Sequence, residues 1–292
     1  MSLRGILAYG CFAVFWALLF LGAALGVHDL GAGLAGGVLA LMAALGLLVL
    51  ARLAGRKLVW RLEWGKIAAG ALVAAAGLAG TLLALDRIGV ALTAFVVSSM
   101  PLFGNVGAQL RGRARITGPT ALGLGLGLLG LFLVAATPAG EPSWRFIAGT
   151  LYAVGAAVIG GASGRWLGEL VELERAVEHA VVSLLIAAGA LFCLAPFTPP
   201  MGNPWTVVLM AGLGLGCGLL VLIATSELAT AIPKRSALTL PGAGTVLAAL
   251  GGVLLLGEQV SAAEWIGAVL ILAGTALLSE PLLTLLPKSW RP

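Results

Sequence analysis

The chain has 292 residues, of which 60% are hydrophobic and 10% charged, with a formal net charge of +5 and a mean hydropathy of +1.09. Soluble domains carry about 25% charged residues, so this composition excludes a water-soluble globule and requires the bilayer as solvent. The 43 glycines suit that environment, because small residues let membrane helices approach closely.

Uncharged stretches long enough to cross a membrane recur along the chain, since a spanning helix needs about 20 apolar residues. They predict spans over Gly5–Val27, Leu30–Ala51, Ile67–Leu85, Ile88–Leu110, Ile116–Gly140, Phe146–Gly164 and Ser236–Gly257. The first run is too long for a signal-peptide core and is expected to be retained. The 47-residue stretch Ala180–Ser226 is interrupted by prolines between Pro196 and Pro204, which predicts two spans there. A last span over Ser261–Glu280 gives ten.

The positive charges are distributed unevenly between the predicted loops. With the N-terminus in the cytoplasm, the other side carries only Arg87 and Arg145. The cytoplasmic side carries 15 basic residues, namely Arg4, Arg52, Arg56, Lys57, Arg61, Lys66, Arg111, Arg113, Arg115, Arg165, Arg175, Lys234, Arg235, Lys288 and Arg291. By the positive-inside rule, we expect both termini in the cytoplasm. The short loops suggest that the membrane is a bacterial plasma membrane, the inner membrane. Topology then explains the basic pI, and no nucleic-acid partner is expected.

The two halves of the chain repeat a pattern of residues at matched spacing. The matched pairs are Ser99 and Thr239, Pro101 and Pro241, Asn105 and Thr245, Thr117 and Ser261, Gly123 and Gly267, and Gly130 and Gly274. If each half holds five helices, the second half enters the membrane from the opposite side. The sequence therefore predicts an all-α integral membrane protein of two inverted five-helix repeats, 1–140 and 141–292, with a binding site near the midplane.

The second half carries a recognisable order of motifs. Leu240-Pro241-Gly242-Ala243-Gly244-Thr245 is followed by an apolar run, Leu256-Gly257-Glu258, Ser261, Ile266-Gly267 and Gly274. This order resembles the EamA module of the drug/metabolite transporter superfamily. The first half resembles it more weakly over Ile67–Ala136, and has Arg111-Gly112-Arg113-Ala114-Arg115 where the family usually keeps Gly-Glu. The resemblance implies ten helices, no enzymatic activity, and export or exchange of amino acids or related metabolites.

Ionisable groups of the kind used in proton relays are missing from the centres of the predicted spans. Glu258 and Glu264 fall at span ends, where an interfacial or capping role is favoured. His28 and His179 fall on opposite sides of the membrane and cannot share a metal. Three cysteines are scattered through apolar runs, at Cys11, Cys193 and Cys217. The sequence therefore predicts no catalytic residue, no metal and no cofactor.

A neutral polar set remains near the membrane centre and forms the candidate substrate site. Its members are Ser98, Ser99 and Asn105 in the fourth span and Thr239 and Thr245 in the ninth. Ser98 and Asn105 share a helix face, and Pro101 and Pro241 are expected to kink the two equivalent spans. Such kinks are tolerated beside a watery cavity, although the hydroxyls could instead bond their own helix backbone. Two aromatic residues within spans could line the cavity or face lipid, Trp16 and Tyr152.

These features favour a transporter of small polar metabolites, with amino acids as the expected class, working by alternating access around a midplane cavity. Two alternatives stay open: a lipid-linked or nucleotide-sugar carrier, which would favour basic residues at membrane depth, and a non-transporting membrane scaffold. The expected partners are the small-molecule substrate and the lipid bilayer. One chain contains both halves, so a monomer suffices and a dimer is possible.

Overall fold

The computed structural model describes residues 3–53, 55, 64–112, 117–136, 143–170, 176–197, 203–223 and 240–278, and 93% of them are helical with no strand. The helices are α1 Leu3–Leu53, α2 Trp64–Val97, α3 Met100–Leu110, α4 Gly118–Ala136, α5 Trp144–Leu170, α6 Ala176–Leu194, α7 Pro204–Ile223, α8 Leu240–Leu255 and α9 Ala262–Leu277. A short 3-10 turn, Ala195–Phe197, follows α6. Helices satisfy their own backbone hydrogen bonds, which is the condition for crossing hydrocarbon.

Helix α1 is a helical hairpin with two arms. Its 51 residues would extend about 77 Å as a straight helix, but Gly31 has φ 72° and ψ 158°, which interrupts the helix. Both arms run along α7, as the contacts of Thr206 with Asp29, Gly216 with Phe15 and Gly214 with Met42 establish. Thr206, near the start of α7, lies beside Asp29 close to Gly31, whereas the later residues Gly214 and Gly216 lie beside residues further from Gly31 on each arm. The chain therefore reverses direction at Gly31.

Helix α2 reverses in the same way at Gly89, which has φ 78° and ψ −176°. The first arm runs along α5, where Gly77 contacts Ile159, and Ile88 beside the reversal contacts Gly149. The chain after the second arm returns along α5, because Met100 at the start of α3 contacts Gly160. Only glycine adopts positive φ at little steric cost. The predicted loops at residues 28–29 and 86–87 lie beside these two reversals.

A second interruption separates α2 from α3 at Ser98–Ser99. The Ser99 amide bonds the Val96 carbonyl at 3.0 Å, an i to i−3 contact that tightens the chain. Pro101 lies in the first turn of α3, where a missing N–H costs nothing. Helical periodicity is therefore not continuous from Ser98 to Asn105, and the assignment of these two residues to one helix face does not follow. Pro241 is the second residue of α8, and the residues before that helix lie outside the described part.

Polar residues begin several helices and explain where they start. Asn203 precedes α7 and accepts the Trp205 amide on Oδ1 at 3.0 Å, while Ser143 precedes α5 and accepts the Phe146 amide at 3.2 Å. Ser261 and Glu264 form a reciprocal capping box at the start of α9. These side chains satisfy backbone amides that have no partner within the helix.

The packed centre of the bundle joins α1, α2 and α8 through one large cluster of buried apolar side chains. Helix α8 runs parallel to the first arm of α1, because Gly244 packs on Trp16 and Gly251 packs on Leu21. The far end of α8 meets the start of the second α2 arm at Val90 through Glu258. The reversals at Gly31 and Gly89 therefore lie at the same end of the bundle, which we name the Gly89 end.

Helices α4 and α9 cross through glycines. A methyl group built on Gly123 would lie 2.8 Å from the carbonyl oxygen of Gly274, and one on Gly267 would lie 2.6 Å from that of Gly130. Backbone contact this close requires residues without side chains at the crossing. The exposed Gly125 of α4 has nothing within 4 Å of such a methyl group, so it lies away from α9.

Five helical stretches among the described residues are long and apolar enough to cross a membrane: Gly10–Leu53, Ile67–Val97, Gly118–Ala136, Trp144–Gly161 and Val177–Phe197. Shorter apolar helices cover Pro204–Cys217, Gly244–Leu255 and Ala262–Leu277. Many large apolar side chains on these helices are exposed on the bundle surface, including Phe132 at 66%. Such a surface is suited to lipid rather than to water.

Candidate functional site

The candidate site lies where the first arm of α1, the second arm of α2 and helix α8 meet; we call it the central seam. Trp16 from α1 packs directly on Gly244 of α8, where a methyl group would lie 2.7 Å from the Trp16 Cβ atom. Phe12 and Phe20, one turn away on either side, place their ring centroids 5.7 and 5.9 Å from that of Trp16. The seam is thus lined on one side by an aromatic row on a single helix.

Two buried polar atoms of the seam helices have no hydrogen-bond partner among the described residues. They are the indole Nε1 of Trp16 and the hydroxyl Oγ1 of Thr93, and Thr93 is completely buried. An unpaired buried polar group costs about 1–3 kcal/mol, and most such groups in native proteins find a partner. A polar molecule or water bound beside each atom would supply the missing bond. Thr93 was not among the residues expected in the site, because a single threonine in an apolar span carries no distinguishing pattern.

Ser98 and Ser99 both use their hydroxyl protons within their own helix. Ser98 donates to the Phe95 carbonyl at 2.6 Å, and Ser99 donates to the Val96 carbonyl at 2.5 Å. Both side chains are buried. Their hydroxyl oxygens retain lone pairs, so towards a ligand these serines act as acceptors.

Thr245 lies at about the same depth as Ser98. The antiparallel α2 arm and α8 come together where a methyl group on Gly252 would lie 3.1 Å from the Ala91 amide nitrogen. Ser98 follows Ala91 by seven residues and Thr245 precedes Gly252 by seven, so each is about 10 Å from that contact. Thr245 is also next to Gly244, which places it at the depth of Trp16. Its side chain is 1% exposed.

Asn105 lies about 10 Å further along the chain, beyond the interruption at Ser98–Ser99. Its side-chain amide donates to the Pro101 carbonyl at 3.0 Å, and the side chain is half-buried. Thr239, the candidate residue matched with Ser99 in the repeat, lies outside the described residues. The structure therefore places Trp16, Ser98, Ser99 and Thr245 at one depth, and Asn105 lies about 10 Å further from the Gly89 end.

Tyr152 lies outside the central seam. The guanidinium carbon of Arg87 is 5.0 Å from the centroid of its ring, and 38% of Tyr152 is exposed. Asp86 links this region to Arg145, whose Nη2 donates to the Asp86 carbonyl at 3.0 Å. These charges surround the reversal of α2, so Tyr152 belongs to the polar Gly89 end.

A similar polar contact joins α1 to α7 at the same end. The Thr206 hydroxyl donates to Asp29 Oδ2 at 2.6 Å, and Asp29 lies between the two predicted spans of the α1 hairpin. This hydrogen bond is the main reason that the pKa of Asp29 is lowered from its ordinary value, with a smaller contribution from His28. The contact ties α7 to the α1 reversal.

Glu264 and Glu258 have different local roles. Glu264 accepts the Ser261 amide on Oε2 at 2.5 Å within the capping box and is completely buried. Glu258 accepts the backbone amides of Val90 and Ala91 at 2.6 and 2.7 Å. The long-range contact of Glu258 with Val90 and Ala91 could not be predicted from the sequence, because every residue except proline carries the same backbone amide.

The fold and the apolar surface define a multi-pass helical membrane protein. Residues 147–280 match the model of the EamA-like transporter family, which lies in the drug/metabolite transporter superfamily. The family whose model matches these residues is one of membrane transporters of small molecules rather than enzymes.

A solved structure shares the fold over nearly the whole chain. It is titled only "Crystal structure of protein", and it matches with a TM-score of 0.64 and 20% identity over 97% of this chain and 99% of its own. At that identity the likeness concerns the fold alone. No curated protein matches the sequence.

Proposed function

We propose that the chain is a secondary transporter of small polar metabolites, with amino acids as the substrate class, and that it works by alternating access. The substrate would bind in the central seam, between Trp16 of the first half and Thr245 of the second. Export or exchange would follow the gradient of the substrate.

The unpartnered indole N–H of Trp16 carries this proposal. It is a buried donor without a hydrogen-bond partner among the described residues, and the buried hydroxyl residues Ser98, Ser99 and Thr245 lie at about the same depth. A carboxylate or carbonyl of a small metabolite could accept that proton, and an amine could donate to the hydroxyl oxygens of Ser98 or Ser99. The aromatic row formed by Phe12, Trp16 and Phe20 would contact the apolar part of the same molecule.

Two inverted five-helix halves, 1–140 and 141–292, would supply the moving parts. The reversals at Gly31 and Gly89 support ten spans, because each divides one long helix into two antiparallel arms. The α4–α9 crossing supports the inversion. In the sequence repeat, Gly123 matches Gly267 and Gly130 matches Gly274. Replacing each residue by its match turns the contact of Gly123 with Gly274 into the contact of Gly267 with Gly130. Both contacts are present in the structure. A pseudo-two-fold axis produces this reciprocity.

The membrane orientation follows from the charge distribution. We place both termini in the cytoplasm and the Gly89 end outside, in a bacterial inner membrane, since 15 of the 17 basic residues then face inward. One chain provides both halves and the whole seam, so the proposed working unit is a monomer.

Uptake of labelled amino acids into proteoliposomes preloaded with the unlabelled panel tests the function. We expect saturable uptake of one class of amino acid, and a strong reduction in Trp16→Phe, which keeps the ring but removes the N–H donor. Phe12→Leu is the matched control, because it changes a neighbouring ring without removing a polar atom. If no amino acid is taken up, the substrate class is wrong, and nucleotide sugars and lipid-linked substrates become the panel to try. If none of these is taken up either, a non-transporting scaffold replaces the transporter.

A further inference from the structure

The geometry points to Glu258 as a latch that holds the two halves together at the Gly89 end, where the matched sequence position of the first half carries an arginine instead of a carboxylate. This inference rests on the proposed alternating access and concerns its energetics. A latch at one end favours the conformation closed at that end, so the resting protein would be open towards the end that carries Gly112.

The latch consists of one carboxylate on two backbone amides. Glu258 Oε1 accepts from Val90 at 2.6 Å and Oε2 accepts from Ala91 at 2.7 Å, across more than 160 residues of chain. Val90 and Ala91 begin the second α2 arm, where helix amides lack internal partners. The carboxylate also meets the positive end of the helix dipole there. Hydrogen bonds to a charged group are about twice as strong as neutral ones, so this contact is well suited to hold two helices.

Three glycines make room for the latch or aim it. Gly257 has φ 69° and turns the chain after α8, so that the Glu258 amide returns to the Gly252 carbonyl at 3.1 Å. Methyl groups on Gly89 and Gly252 would each lie 2.5 Å from a carboxylate oxygen of Glu258. The same three positions therefore fix the reversal of α2, the end of α8 and the site of the carboxylate.

The matched sequence position in the first half carries the opposite charge. Helix α3 ends like α8, with a positive-φ glycine, Gly112, at φ 67°. The residue that follows in the sequence is Arg113, where Glu258 follows Gly257. An arginine has no lone pair to accept a backbone N–H, and a helix N-terminus repels its charge. The sequence of the first half therefore does not repeat the Gly-Glu pair that forms the latch.

The test uses thiol labelling in a background without the native cysteines Cys11, Cys193 and Cys217. One reporter is Ala94→Cys, which replaces a completely buried residue one turn below the latch. The other is Ala108→Cys, a residue 5% exposed near the Gly112 end. A membrane-impermeant maleimide is applied from each side of oriented vesicles, and labelling rates are compared with and without Glu258→Gln. The amide keeps the size of the side chain but replaces one acceptor oxygen with a donor facing an N–H.

We expect Glu258→Gln to raise labelling of Ala94→Cys from the Gly89 end about tenfold, the effect of losing one charge-assisted hydrogen bond. Labelling of Ala108→Cys from the other end should fall. Asp86→Asn is the matched control, because it removes a carboxylate at the same end. Among the described residues its ion pairs, with Arg87 and with Arg145 of the second half, are longer, at 3.7 and 3.6 Å, and partly exposed to solvent. Exposed pairs of this kind contribute little to stability. Asp86→Asn should therefore leave both rates unchanged.

An unchanged Ala94→Cys rate in Glu258→Gln overturns the latch, as does an equal rise in Asp86→Asn. Should the glutamine variant fail to fold, Glu258→Asp keeps the charge but shortens its reach, and the same rise is expected. Labelling needs no substrate, so the two proposals fail separately. A wild type that transports nothing but still responds to Glu258→Gln retains the latch and loses the proposed function.

Discussion

Gly130 of α4 and Gly267 of α9 lie backbone to backbone, so that a methyl group on either residue would overlap the carbonyl oxygen of the other. Seven residues away on each helix, Gly123 and Gly274 repeat the same contact in the reverse sense. No side chain separates these helices at either point, so α4 and α9 pack directly against each other through their backbones.

Substitution at this crossing should destabilise the protein. Gly130→Ala places a Cβ atom against the Gly267 carbonyl and the Ile271 amide, neither of which can move without shifting a helix. Overpacking of this kind costs about 1–3 kcal/mol, measured as a lower melting temperature in detergent. Gly125→Ala is the control on the same helix, and it should be neutral or stabilising because alanine favours helix by about 1 kcal/mol. Equal melting temperatures for both variants would contradict the close crossing.

Trp16→Phe should separate stability from function. Removing a buried donor that has no partner among the described residues relieves a desolvation cost of about 1–3 kcal/mol. The smaller ring offsets part of this gain, so the free energy of unfolding should stay within about 1 kcal/mol of wild type. Transport should fall through a raised KM, because the lost N–H would bind substrate. A variant that loses stability and keeps its KM would assign Trp16 to packing alone.

Thr93→Val and Ser99→Ala should have different effects on stability. The Thr93 hydroxyl is buried and has no hydrogen-bond partner among the described residues. Replacing it by a methyl group of similar size should therefore leave the melting temperature unchanged or raise it. The Ser99 hydroxyl bonds the Val96 carbonyl, so its removal should cost about 1 kcal/mol. Thermal denaturation of the two variants side by side checks this, and a larger loss in Thr93→Val would show that its hydroxyl has a partner.

The α1 hairpin predicts that His28 and Arg52 lie on opposite sides of the membrane. His28 is next to the reversal at Gly31 with 82% of its side chain exposed, and Arg52 is exposed at the end of the second arm. Single cysteines at these positions should react with an impermeant thiol reagent from opposite sides, with residue 28 on the side of residue 145. Reaction of both from one side would exclude two separate spans in α1.

Much of the fold could be predicted from the sequence, because apolar length and the absence of charge decide where helices lie in a bilayer. The division of Ala180–Ser226 into two helices followed from its prolines, and the structure has α6 and α7 there. The family was recognised from the order of motifs in the second half, which the match over residues 147–280 confirms. The capping role expected for Glu264 follows from its spacing to Ser261, and the structure contains that capping box.

The candidate site was less accessible to sequence reasoning. Placing Ser98 and Asn105 on one face assumed a continuous helix, but the tight turn at Ser98–Ser99 breaks the periodicity. Tyr152 was grouped with Trp16 because both are aromatic residues within spans, yet Tyr152 packs under Arg87 at the Gly89 end. Depth along a helix and direction around it depend on interruptions of one or two residues, which composition does not reveal.

The sequence by itself determined that the chain lies in a membrane, that it is helical and that its second half resembles the EamA-like transporter family, because these properties depend on hydropathy, local spacing and motif order. Only the tertiary structure decided which glycines touch across the α4–α9 crossing, that the indole N–H of Trp16 has no partner among the described residues, and that Glu258 bonds Val90 and Ala91. Each of those contacts joins residues far apart in the chain, and most of them involve backbone atoms that every residue carries. Such contacts form only when folded helices bring particular backbones together, so no local pattern of side chains encodes them.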